Sequence, residues 1–280
     1  MIYLFWAYSY GLTKDRLRLY FQDFCKIPVT IPPISEQVKI STILSVWDQA
    51  IEKVDKLIEN SQKHRKALMQ CLLTGEKRLS SFNGNFSRMQ MRDIADIDAH
   101  SLNNKTPDNF EFRYISLSDV EHGRISDTLE EHTYVKSPSR ARRIVAEGDI
   151  LMATVRPNLQ SFAMIDSEHV DCIASTGFAV ISPKQGFHGG YIYHYLFGSH
   201  VTGQIHSLVV GSNYPAINSS DVKGLAIYCP EHKEQIAISN ALDNADKTIS
   251  NLHRQLVHLK IQKKALMQQL LTGKRRVKVA

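Results

Sequence analysis

The chain has 280 residues, 43% hydrophobic and 22% charged, which is apolar enough to build a core and rules out a disordered chain. Its formal net charge of +6 and pI near 9.0 suit a nucleic-acid or acidic partner, and equally suit an ordinary basic soluble protein. No apolar run approaches the roughly 18 residues of a bilayer span, so no membrane role is expected, and Cys25, Cys71, Cys172 and Cys229 stand at no zinc or disulfide spacing, which implies inert thiols in a reducing cytoplasm.

Residues 1–31 open on an aromatic run, Met1 to Tyr8. It lacks a basic flank and a small-residue cleavage site, which argues against a signal peptide. A long helical pattern follows over 32–79. Ile40, Leu44, Trp47, Ile51, Val54, Ile58, Ser61, Arg65, Leu68 and Leu72 recur at alternating steps of four and three, the seam of a coiled coil. Prolines precede the pattern and Gly75 follows it, as helix boundaries require.

Residues 80–230 change character. Phe112–Ile115, Ile150–Val155, Phe162–Ile165, Gly177–Ile181 and Leu225–Tyr228 read as strands between turn residues, with Gly148-Asp149 as a tight turn. Tyr191–His200 reads as a helix. This is a mixed α/β domain.

Residues 231–280 repeat the first helix. Lys264-Ala265-Leu266-Met267-Gln268 matches Lys66-Ala67-Leu68-Met69-Gln70 at an offset of 198, and Leu270-Leu271-Thr272-Gly273 matches Leu72-Leu73-Thr74-Gly75. The same offset pairs Pro32 with Pro230, Glu36-Gln37 with Glu234-Gln235, and Asp48 with Asp246 without a gap. The second seam is Ile238, Leu242, Ala245, Ile249, Leu252, Leu256, Leu259, Lys263, Leu266 and Leu270. A helix of about 38 residues is roughly 57 Å long, and its narrow apolar stripe needs a partner. The two copies are expected to bury each other's stripe as an antiparallel pair; the alternative is that each packs on its own globular domain. Arg65 and Lys263 interrupt the seams, either to specify register or because the seam splays there. At the same offset Asp23, Ile27 and Val29 match Asp221, Leu225 and Ile227, so residues 1–31 resemble the tail of another such domain.

No phosphate-binding loop is present: Thr272-Gly273-Lys274 lacks the required glycine and hydroxyl. There is no cofactor fingerprint, and Ile31-Pro32-Pro33-Ile34 does not qualify as an amino-methylation motif. The twelve histidines form no H-x-x-x-H or H-E-x-x-H. The chain itself is therefore read as non-catalytic, with no cofactor and no metal site.

Glu147-Gly148-Asp149-Ile150-Leu151, Arg156-Pro157, Ser175-Thr176-Gly177-Phe178, Gly211-Ser212 with Pro215, then Pro230 and Glu234-Gln235 occur in order. This run resembles the target-recognition domain of type I restriction–modification specificity subunits. The flanking helices, with their Pro-x-x-x-Glu-Gln entry and Leu-Leu-Thr-Gly exit, resemble that family's conserved regions. The resemblance implies an α+β chain: one mixed α/β recognition domain flanked by two long helices in an antiparallel coiled coil. It implies that such a domain reads one half of a split DNA site. The helices measure the spacer and dock methyltransferase subunits, with a restriction subunit as a further possible partner. S-adenosylmethionine, ATP and Mg are implied for those partners only. A full subunit has two recognition domains and this chain has one, so a second specificity chain or a second copy is expected to supply the other; a truncated remnant is the third reading. The alternative function is a structural fragment that docks methyltransferase without specifying DNA.

Base readout needs polar side chains on loops. The candidates are Arg140, Arg142 and Arg143 in the densest basic stretch, Arg156 and Asn158 beside Pro157, Thr176, and Ser212, Asn213 and Tyr214. Each also has a plain structural reading, as a solvated turn, a salt-bridged arginine or a half-buried tyrosine. The basic tail Lys274–Lys278 reads foremost as a soluble, frayed end.

Overall fold

The computed structural model describes residues 2–11, 16–121, 123–209 and 215–278. In chain order the elements are α1 (Ile2–Ala7), α2 (Phe21–Phe24), α3 (Ile34–Thr74), β1 (Ser87–Gln90), α4 (Met91–Ile94), β2 (Ala95–Ile97), β3 (Glu111–Ile115), β4 (Val120–Glu121), β5 (Arg124–Ile125), β6 (Glu130–Thr133), β7 (Ala141–Ile144), β8 (Ile150–Ala153), β9 (Phe162–Met164), β10 (Cys172–Ser175), β11 (Phe178–Pro183), α5 (Gly189–Leu196), α6 (Ser199–Leu208), α7 (Ser219–Gly224), β12 (Ala226–Cys229) and α8 (His232–Leu270). Two compact units result, one of residues 1–58 with 251–280, the other of residues 59–250. The division passes through the middle of both long helices.

In the first unit the two helical segments meet through Ile51, Val54 and Ile58 on α3 and Leu252, Leu256 and Leu259 on α8. Higher numbers on one side face lower numbers on the other, so the segments run antiparallel, as the sequence predicts. Lys263 of this seam meets Asp48 in an ion pair. Arg276 donates from Nε to Glu36 Oε2 at 2.7 Å, so the basic tail is tied down rather than frayed at this residue. Ile40 and Leu270 are buried, whereas Leu44, Trp47 and Leu266 are half-buried.

The second unit repeats these bonds at the 198-residue offset. Arg65 meets Asp246, with Nη2 to Oδ2 at 3.0 Å, and Arg78 Nε meets Glu234 Oε1 at 3.0 Å. Gln235 Nε2 donates to the Pro230 carbonyl at 2.9 Å, as Gln37 Nε2 does to Pro32 at 2.8 Å. The interrupted seam is thereby resolved: each cation has a specific aspartate on the facing segment, a device that favours one register. Leu68, Leu72, Ile238 and Leu242 play a different part from the one the heptad suggests. They join the large core of the α/β domain, with Tyr191, Tyr195 and Ile227. Here the stripes of both segments pack on one shared globular domain, not each on its own. Ile249 is half-buried.

That domain has two four-stranded sheets. One has the order β6-β3-β10-β7, with β3 and β10 parallel; the other has the order β2-β11-β8-β9 and is antiparallel throughout. Strand β8 is buried along its whole length, which explains its unbroken apolar run. The helix expected over 191–200 is two helices, because Gly198 takes an extended backbone and caps α6. Strand β12 pairs with β1. Its counterpart by the repeat, residues 28–31, forms no strand; a strand needs a partner for its backbone groups, and none pairs with it among the described residues.

Candidate nucleic-acid interface

The topology gathers several loops at one end of both sheets. Parallel β3 and β10 finish there, at Ile115 and Ser175, while β7 begins at Ala141. The turn Ser175-Thr176-Gly177 carries the chain into β11, whose first residue Phe178 faces Ala153 at the end of β8. Backbone bonds weld the loops together. Thr176 N donates to Arg140 O at 2.8 Å, Thr154 N to Gly177 O at 2.9 Å, Ile217 N to Thr154 O at 3.0 Å and Arg156 N to Pro215 O at 2.7 Å. Gly177 allows a close approach here: a Cβ on it would stand 2.7 Å from Leu117 Cδ1, so the leucine would have to shift.

Arg140, Arg156, Asn158 and Thr176 all lie on this end, and all are exposed. Arg156 and Gln160 bracket a single 3-10 turn, Pro157–Leu159, and both have left-handed backbones, with φ of 50° and 53°. Non-glycine residues rarely adopt that conformation, and it clusters where a ligand is held. The adjoining Ser212, Asn213 and Tyr214 lie outside the described residues, although Pro215 and Ala216, which follow them, touch Arg156 and Val155.

Two arginines of the basic stretch have other partners. The run 141–144 is strand β7 rather than a solvated turn. Its side chains therefore alternate between faces. Arg142 lies over the Tyr134 ring at 5.0 Å and donates to the Ala141 carbonyl at 2.7 Å. Arg143 makes a 2.9 Å ion pair with Asp98, whose side chain is 8% exposed. Asp98 holds three elements at once: its Oδ1 accepts from Val180 N at 2.9 Å and its Oδ2 from Ser219 Oγ at 2.5 Å. Its own φ is 59°. Arg142 and Arg143, both expected to read bases, thus each have a partner within the fold, Arg142 the Tyr134 ring and Arg143 the Asp98 carboxylate. Sequence reasoning missed Asp98. Only aspartate's tolerance of the left-handed region hinted at it.

Burial sets the titratable groups nearby. It pushes the Cys172 thiol up to about 11 and Cys229 to about 12, so both are poor nucleophiles; all four cysteines are free thiols. His194 is buried, with Nε2 2.8 Å from Asp243 Oδ1. Burial holds its pKa below the ordinary imidazole value, against the opposing pull of Asp243. Among the described residues no cluster of three or more His, Cys, Asp or Glu could hold a metal ion, and no helix is long and apolar enough to cross a membrane.

The fold is thus a mixed α/β domain with a welded loop edge, in a chain that also carries a repeated antiparallel helix pair. Residues 83–260, more than half of the chain, match the family model of the type I restriction modification DNA specificity domain. The chain belongs to that family. It is 24% identical over 91% of its length to the type I restriction enzyme MjaVIII specificity subunit of Methanocaldococcus jannaschii, and 26% identical over 90% to the putative MjaX specificity subunit of the same organism. It spans 64% and 60% of those two relatives. The fold is shared with the HsdS subunit from Thermoanaerobacter tengcongensis, at a TM-score of 0.57 and 23% identity over 67% of this chain and 49% of that one.

Proposed function

We propose that this chain is a non-catalytic DNA-recognition and scaffold subunit of a type I restriction–modification complex, its domain reading one half of a bipartite site. The observation that carries this is the exposed edge holding Arg140, Arg156, Asn158 and Thr176 on a rigid, hydrogen-bonded base. Preorganised loops lose little entropy on binding. Arginine and asparagine are the side chains that pair with guanine and adenine edges in the major groove.

The helices are the platform for methyltransferase subunits. Support comes from apolar residues turned away from the seam in the first unit: Val46, Leu57, Val257 and Ile261 are exposed, with Arg254, Lys260 and Lys264 beside them. An apolar centre with a charged rim is the usual anatomy of a docking face. S-adenosylmethionine, ATP and Mg would then be held by the methyltransferase and restriction subunits, and methyl transfer and DNA cleavage would be theirs. A cytoplasmic location follows from that role.

A second copy, or another specificity chain, supplies a second recognition domain. The first unit favours this, because it repeats the ion pairs of the second and leaves the aromatic side chains of Tyr3, Trp6, Phe21 and Phe24 exposed, apolar surface that a further domain would cover. The test is selection of duplexes from a random library by the full chain with its methyltransferase. The proposal expects a bipartite motif, symmetric if two identical copies assemble. Methyltransferase docking with no sequence selected would instead establish the structural-fragment reading.

A further inference from the structure

The loop edge contains a feature that polar readout does not use. A groove of about 480 Å³ is lined by Leu117, Ala153, Val155 and Leu159, with Ser118, Arg156 and Ser161 at its margin. Leu159 is 60% exposed. It projects from a turn that cannot easily relax. Pro157 is buried beneath it, Leu159 N donates to Arg156 O at 2.9 Å and Gln160 N donates to Pro157 O at 3.1 Å. Two left-handed residues hold the ends. On the other wall, Leu117 is half-buried and its side chain lies close to Gly177. A leucine so exposed and so firmly aimed, within an edge that carries Arg140, Arg156 and Asn158, calls for an apolar partner inside a polar, anionic ligand.

Duplex DNA offers one such group in the major groove, the 5-methyl of thymine. We infer that the Leu117–Leu159 groove receives a thymine methyl, and that Asn158, next to Leu159 on the same tip, faces adenine. The recognised half-site then contains an A·T pair fixed by this loop. The inference rests on the DNA-reading proposal above and adds the base that the loop selects.

The test uses the duplex that the complex itself selects. Each thymine of the half-site is replaced in turn by uracil, which removes only the methyl group, and binding to the full chain with its methyltransferase is measured. One position should lose about fourfold in affinity, the equivalent of one buried methyl group, and the others should not change. Leu159→Ala should erase that sensitivity by bringing the thymine duplex down to the affinity of its uracil counterpart, and Asn158→Ala should admit other bases at the paired position. Uracil and thymine bound alike at every position would overturn the inference and leave the DNA-reading proposal standing. A complex that selects no sequence would overturn both. The uracil series needs no altered protein, so misfolding of a variant cannot mimic either result.

Discussion

Leu256→Asp should unfold the first unit and spare the second. Leu256 is 8% exposed and packs on Val54 and Ile58. Truncating a buried leucine costs about 2–5 kcal/mol; a two-helix seam with open flanks belongs at the lower end. A carboxylate facing two apolar side chains adds its own desolvation cost, so about 3–4 kcal/mol is expected in all. The first unit has little to offset this. Its buried apolar residues, among those described, are Ile27, Ile40, Val54, Ile58, Leu256 and Leu270, whereas the second unit holds the large continuous core. Amide hydrogen exchange followed by mass spectrometry reads both units at once. Protection over residues 34–58 and 251–270 should fall by a hundredfold or more, at about 1.4 kcal/mol per tenfold change. Peptides from β8, β10 and β11 should keep theirs. Leu256→Met should behave as wild type, since volume-conserving swaps cost less than about 1.5 kcal/mol. Equal loss of protection in both units, or none in the first, would refute the assignment of the seam as the core of that unit.

Other expectations concern charge. Arg65→Asp should destabilise the second unit, and adding Asp246→Arg should recover most of the loss. Because both partners are partly exposed, the coupling is about 0.5–1 kcal/mol; urea midpoints of the two singles and the double measure it, and additive losses would count against a register-setting pair. Arg143→Ala should lower the melting temperature and leave the salt dependence of DNA binding unchanged, since it strands Asp98 in the fold. Arg140→Ala should do the reverse, reducing the slope of log K against log salt by about 1 if Arg140 meets a phosphate. Acid should weaken the fold. His188, His194 and His200 all have pKa values lowered by burial, so the unfolded chain binds more protons below the ordinary imidazole value of about 6.5, and stability falls as pH drops through that range. Urea midpoints at pH 5.5 and 7.5 should show the fall, and His194→Gln should flatten it; an unchanged profile would mean that the buried His194–Asp243 pair titrates no differently on folding.

The helical part of this fold is legible because its signal is long and repeated. The 198-residue offset marked the helix limits, and the antiparallel pairing followed from a domain that joins the end of one helix to the start of the other. The function of Arg65 and Lys263 needed coordinates, since the aspartates they meet lie far along the chain. Strands β8, β9 and β11 could be read as apolar runs. Strands β1, β6 and β7 could not: SRMQ has a single apolar residue, EEHT and ARRI carry charge on both faces, and only pairing with β12, β3 and β10 makes strands of them. The same blindness hid the partner of Arg143. A basic cluster in sequence says nothing of which way a strand will turn each side chain, nor that Asp98 waits on one face. Arg140, Arg156, Asn158 and Thr176 stood out as candidates because turn residues mark loops, but their convergence on one edge is a property of the sheet order. Leu159 escaped because an exposed leucine has no polar signature.

The central claim is that the edge formed by Arg140, Arg156, Asn158 and Thr176 selects the DNA sequence to be modified. Modification-sensitive sequencing of DNA from cells expressing the chain with its methyltransferase tests this directly. The account predicts methylation at a split motif, and a changed or relaxed base in the half-site when Asn158 is replaced by Ala. A motif indifferent to every substitution on this edge, or docked methyltransferase with no methylated motif, would contradict it.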